Sequence, residues 1–135
     1  MKTTKKLKWL GIVCGYILLI FILSWRNPGL GKYSFIKEIL SNLAHIPLYA
    51  GLSYFIIIFL KHLKTGKSAY VYAVISGMII AVIDEFLQSF VPARTVSGMD
   101  LLLDLTGICS GLFIFIILRF LKIKRKIKSN NKNLY

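Results

Sequence analysis

Four of the five acidic residues in this chain stand within residues 84–104: Asp84, Glu85, Asp100 and Asp104, accompanied by Gln88 and Arg94. The stretch joins two segments apolar enough to cross a membrane, where ionisable groups are costly and mark a functional site by default. Carboxylates crowded in such a setting make one of their number a candidate general acid or base, and Glu85 and Asp84 are the candidates. His45 can take the same role. Arg94 presents a planar fork suited to carboxylate or phosphate, so it either bridges to Asp84, Glu85 or Asp100 or captures an anionic ligand such as a lipid phosphate. A divalent ion among the acids is conceivable, but no ligand spacing demands one, and neither a metal nor a cofactor is assigned.

These residues need helices to hold them. Residues four apart share a helix face, so His45, Tyr49 and Ser53 predict a polar line running inward along the second apolar segment. Pro47 lies between them and leaves the Leu43 carbonyl without its helical donor. On the third segment Ala73, Gly77 and Ala81 recur every four residues, and Asp84 and Gln88 continue the stripe; small residues there permit close helix approach. Glu85 is rotated about 100° from Asp84 and can face inward only towards a different neighbour. On the fourth segment Asp100, Asp104, Gly107 and Gly111 fall within roughly 40° of one line. Gly107-x-x-x-Gly111 is a close-packing motif, expected to seat the fourth helix on the third. Asp100 also has a plain explanation as a first-turn acid favoured by the helix dipole, one that weakens for the deeper Asp104.

Composition and hydropathy supply the frame. With 56% hydrophobic residues in 135, the chain is too short for two domains and too apolar for an ordinary soluble one. Apolar runs at 7–25, 41–60, 69–90 and 100–121 each approach the roughly 20 residues needed to span a bilayer. The expected fold is all-α, an integral membrane four-helix bundle over 7–121, with a basic leader at 1–6 and a basic tail at 122–135. The first run is read as a retained helix that anchors and packs without chemistry, because no small-x-small cleavage site follows it. Ser41 or Asn42 is expected to cap the second helix, and residues 33–40 are either a short interfacial helix or a loop. Residues beyond Lys128 are expected to be disordered, and Cys14 and Cys109 to be small packing groups.

The net charge of +13 does not point to nucleic acid. Basic residues gather before the first run (Lys2, Lys5, Lys6, Lys8), between the second and third (Lys61, Lys64, Lys67) and after the fourth (Arg119 to Lys132), leaving Arg26, Lys32, Lys37 and Arg94 elsewhere. By the positive-inside rule both termini are expected in the cytoplasm of a plasma-membrane protein, with the acids in the outer half. The basic tail is expected to favour anionic lipid.

At these positions the sequence resembles the VanZ-like membrane protein family. The matching pieces are His45-x-x-x-Tyr49, Asp84-Glu85-x-x-Gln88, Pro92-x-Arg94 and Asp100-x-x-x-Asp104-x-x-Gly107-x-x-x-Gly111, within residues 7–121. The family commonly has Asn where Asp104 stands, Gly where Ala93 stands, and an acid and a lysine ahead of the imidazole where this chain reads Ser41-Asn42-Leu43-Ala44. The resemblance implies action on cell-envelope precursors or lipids at the outer surface and an effect on glycopeptide (teicoplanin) susceptibility. It implies no particular reaction.

Three functions fit these residues. The first is a pocket that binds an anionic lipid-linked envelope component, with Arg94 on phosphate, Glu85, Asp84, His45 and Asp100 orienting it or moving protons, and Gln88, Asp104 and Tyr49 completing the lining. The second is a membrane-embedded hydrolase or transferase with Glu85 or His45 as general base, although no nucleophile motif accompanies them. The third is a structural module whose polar groups only fix helix register.

Overall fold

A computed structural model of the chain describes residues 2–25, 35–63, 65–91 and 98–132, with the side chains of 2, 35–41, 131 and 132 left out. Four helices account for nearly all of them: α1 (Lys2–Trp25), α2 (Phe35–His62), α3 (Ser68–Gln88) and α4 (Gly98–Lys132), with no strand among the described residues. All four are long and apolar enough to cross a membrane. This follows from the solvent: backbone groups in lipid must be satisfied within their own segment, and a continuous apolar helix does that.

The helices alternate in direction. The end of α1 (Ser24) meets the end of α3 (Asp84), while the start of α1 (Trp9) stacks on the end of α2 (His62). The start of α3 (Tyr70) meets the far part of α4 (Arg119), and His45, early in α2, meets Asp104, early in α4. Thus α1 and α3 run one way and α2 and α4 the other. Helix α2 is the hub and touches all three others; its most extensive partner is α4, and α1 does not touch α4.

Burial in lipid gains little hydrophobic energy, because lipid tails are as apolar as leucine; close packing must hold the helices together. The helices come into backbone contact at Gly107 and Gly111. A Cβ on Gly107 would meet the Ile46 carbonyl and the Tyr49 side chain, and one on Gly111 would meet the Ala50 backbone. Both glycines therefore seat α4 on α2, not on α3 as the spacing alone suggested. Gly77 does face α4, where a Cβ would touch the Ile108 side chain. The α3 stripe is buried throughout, from Ala69 through Ala73, Gly77 and Ala81 to Asp84 and Gln88. Tyr49, Leu52, Ile57, Ile20 and Ile108 fill the centre.

Several expectations need correction. Helix α2 is continuous from Phe35, so 35–40 is neither a separate interfacial helix nor a loop, and Ser41 and Asn42 lie inside the helix instead of capping it. The tail is helical to Lys132, past the point where order was expected to end. At about 1.5 Å per residue the 35 residues of α4 extend some 50 Å, well beyond a ~30 Å hydrocarbon core, so its basic part continues outside the membrane as a helix. Cys14 and Cys109 are exposed on the bundle's outer face and do not pack inside it.

Candidate functional site

The polar residues collect at one end of the bundle, that of Ser24, Asp84, Gln88 and Asp100. Asp84 is the focus. Helical spacing points it inward along the α3 stripe, where it is 1% exposed. Its Oδ2 accepts hydrogen bonds from Ser24 Oγ at 2.8 Å, Gln88 Nε2 at 2.9 Å and Tyr49 Oη at 3.3 Å. One carboxylate oxygen thus ties α1, α2 and α3 together. The Gln88 contact is an i,i+4 pair within α3 and orients the carboxylate before any neighbour arrives.

A second pair lies beside it on the α2–α4 seam. His45 Nδ1 and Asp104 Oδ1 are 2.8 Å apart, and both residues are buried. The imidazole is parallel to the Tyr49 ring, with centroids 6.3 Å apart. Tyr49 therefore connects the two halves of the cluster, touching the Asp84 carboxylate with its hydroxyl and the His45 ring with its face. A carboxylate on one imidazole nitrogen selects the tautomer and fixes the ring plane, as in carboxylate–histidine pairs that transfer protons.

Asp100 is buried one turn above Asp104, within electrostatic range of His45. Its Oδ1 has no hydrogen-bond partner among the described residues. A buried carboxylate oxygen with unused acceptor capacity is unusual and suits a donor brought by a ligand. Glu85 is half-buried, on a neighbouring face to Asp84 as its 100° rotation requires. Ser53, third in the α2 polar line, is buried and its Oγ lacks a partner among the described residues. Arg94 and Pro92 lie outside the described residues, so the expected guanidinium contact has no geometry here.

The structure thus brings together His45, Tyr49, Asp84, Gln88 and Asp104 by direct contact and puts Asp100 alongside. It also overturns the expectation that this face of α4 meets α3. Asp104 meets the imidazole of α2, not the acids of α3, because the glycine seam turns that face of α4 to α2. Helix α1 joins the bundle partly through Ser24, which belongs to the Asp84 cluster. The sequence signal for Ser24 was slight: one serine near the end of an apolar run, with no polar residue one turn before it to mark a face. Among the described residues no group of His, Cys, Asp and Glu is arranged to hold a metal ion.

Asp104→Asn keeps an acceptor oxygen for His45, so the bundle should lose less than about 1 kcal/mol of stability. Asp104→Leu leaves the imidazole without its partner and should cost about 2 kcal/mol. Unfolding of the purified protein in detergent compares the two. Equal losses would mean that the charge, not the hydrogen bond, joins α2 to α4.

Residues 10–119 match the protein-family model described as VanZ/LLP1. No curated protein and no solved structure matches the chain.

Proposed function

The chain belongs to the VanZ/LLP1 family, and on that footing we propose that its acidic end is a ligand pocket on the outer side of the plasma membrane, with both termini in the cytoplasm. The asymmetric distribution of lysine and arginine supports this orientation. The pocket belongs to a single membrane domain spanning 7–121. It takes an anionic lipid-linked component of the cell envelope, and its occupancy lowers glycopeptide susceptibility. Arg94, in the α3–α4 connection, engages phosphate. Asp100 and Glu85 accept hydrogen bonds from headgroup hydroxyl or ammonium groups. Asp84, Gln88 and Tyr49 form the floor, and His45, held by Asp104, is placed to pass a proton.

The observation that supports this reading is the buried Asp100 Oδ1, an acceptor with no hydrogen-bond partner among the described residues at the acidic end of the bundle. One observation favours the structural reading instead: Asp84 Oδ2 is engaged by donors from three helices, as a register lock would be.

Measuring membrane abundance together with glycopeptide susceptibility in Glu85→Gln, Arg94→Ala and Asp100→Asn cells separates the two. A working pocket predicts normal abundance with a lost effect on susceptibility. Abundance falling in step with the phenotype supports the lock. Normal abundance with an unchanged phenotype would sink the pocket. Turnover of a lipid-linked substrate by purified protein, abolished by Glu85→Gln, would make it an enzyme.

A further inference from the structure

The opposite end of the bundle holds a second polar constellation that owes nothing to the acidic cluster. Lys61, in the last turn of α2, places its ammonium 4.2 Å from the Tyr70 ring centroid and also donates to the Gly66 carbonyl in the α2–α3 turn. Arg119 of α4 donates from Nη1 to the Tyr70 hydroxyl at 2.8 Å. Tyr70, in the first turn of α3, rests its ring edge-on against Phe115 of α4. Two full positive charges from different helices therefore converge on one phenol.

Among the described residues no carboxylate forms an ion pair with either of them. The five acids are Glu38, Asp84, Glu85, Asp100 and Asp104. Four belong to the other end of the bundle, and Glu38 lies near the start of α2 while Lys61 lies near its finish. Cations gathered around one phenol repel one another, and an anion between them would relieve that repulsion. The donors for an anion are in place. Tyr70 accepts from Arg119, which leaves its own O–H to donate, and the guanidinium and ammonium retain further N–H groups. The adjoining first turn of α3 adds backbone N–H groups for which Lys67, at the cap position, has no acceptor side chain.

The surroundings identify the source of the anion. Trp9, Tyr54, Tyr70 and Phe115 stand at this level, as interfacial aromatics do. Val71 beside Tyr70 and Ile116 one turn before Arg119 are exposed apolar groups that would lie along acyl chains. We propose that Lys61, Tyr70 and Arg119 form a binding site for the phosphodiester of an anionic membrane phospholipid. Basic pockets between membrane helices bind such headgroups. The site is separate from the acidic pocket and does not rest on its proposed role.

Native mass spectrometry of the full chain, released from micelles holding equal amounts of phosphatidylglycerol and phosphatidylcholine, tests it. Two positioned cations should favour phosphatidylglycerol by about thirtyfold, roughly fivefold for each. K61Q and R119Q should each remove most of that preference. Y70F keeps the ring and the ammonium contact but loses the hydroxyl, and it should weaken retention severalfold even if the charge variants fold poorly. K124Q/K126Q, on the exposed continuation of α4, should lower the preference much less than K61Q or R119Q, by general surface charge alone. Equal retention of the two lipids by the unaltered protein, or full preference in both R119Q and Y70F, would overturn the site. Equal loss in K124Q/K126Q would reduce it to general surface charge. Displacement of phosphatidylglycerol by millimolar inorganic phosphate would make it a free-phosphate site and overturn the lipid assignment.

Discussion

Asp84→Ala lowers the stability of the bundle by about 2–3 kcal/mol. The carboxylate oxygen that disappears accepts from Ser24, Tyr49 and Gln88. Hydrogen bonds between membrane helices average roughly 0.6 kcal/mol each, and bonds to a charged acceptor are stronger. Once the acceptor is gone, Ser24 can turn back to a carbonyl of its own helix at little cost. Tyr49 cannot, because its ring is fully buried against His45; its hydroxyl stays unsatisfied in a dry interior. Asp84→Asn retains an acceptor oxygen and should cost about half as much. Reversible unfolding in mixed detergent measures both. An Asp84→Ala protein as stable as the parent would show that the three contacts contribute nothing to holding α1, α2 and α3 together.

Gly111→Ala should cost about 2–3 kcal/mol, although alanine is the better helix former. Its Cβ would press on the Ala50 backbone. Backbone cannot rotate aside as a side chain can, so α2 and α4 must part, and overpacking of this kind typically costs 1–3 kcal/mol. Gly77→Ala is the control. There the new methyl would lie 3.0 Å from Ile108 side-chain atoms, which can shift, and the gain in helix propensity offsets much of the strain. Its net change should stay within about 0.5 kcal/mol. The same unfolding assay reads both variants. Gly111→Ala should also disturb the His45–Asp104 pair, since those residues ride on the same α2–α4 seam. The imidazole resonances of His45 should shift in Gly111→Ala and not in Gly77→Ala. Equal stability of the two glycine variants would mean that α2 and α4 are not in backbone contact.

Several features needed only the order of residues. Four apolar runs of bilayer length admit hardly any fold but a helical bundle, because lipid offers no hydrogen bonds to an irregular backbone. Alternating connections put His45, Asp84, Gln88, Asp100 and Asp104 at one end, and the i,i+4 stripe on α3 aimed Asp84 and Gln88 inward. Helix length and phase are local properties, so a linear pattern carries them.

What only the tertiary structure decided is the lateral arrangement of the helices. Periodicity says which face of a helix is small or polar, but not which neighbour that face meets. Gly107 and Gly111 therefore suggested α3 yet lie on α2, and Asp104 found an imidazole instead of another acid. Lone residues were equally hidden: Ser24 repeats with nothing on α1, and Lys61 and Arg119 look like ordinary membrane-flanking cations until both are seen at Tyr70. Each of these depends on the distance between segments far apart in the chain, which side-chain volumes across every interface set together.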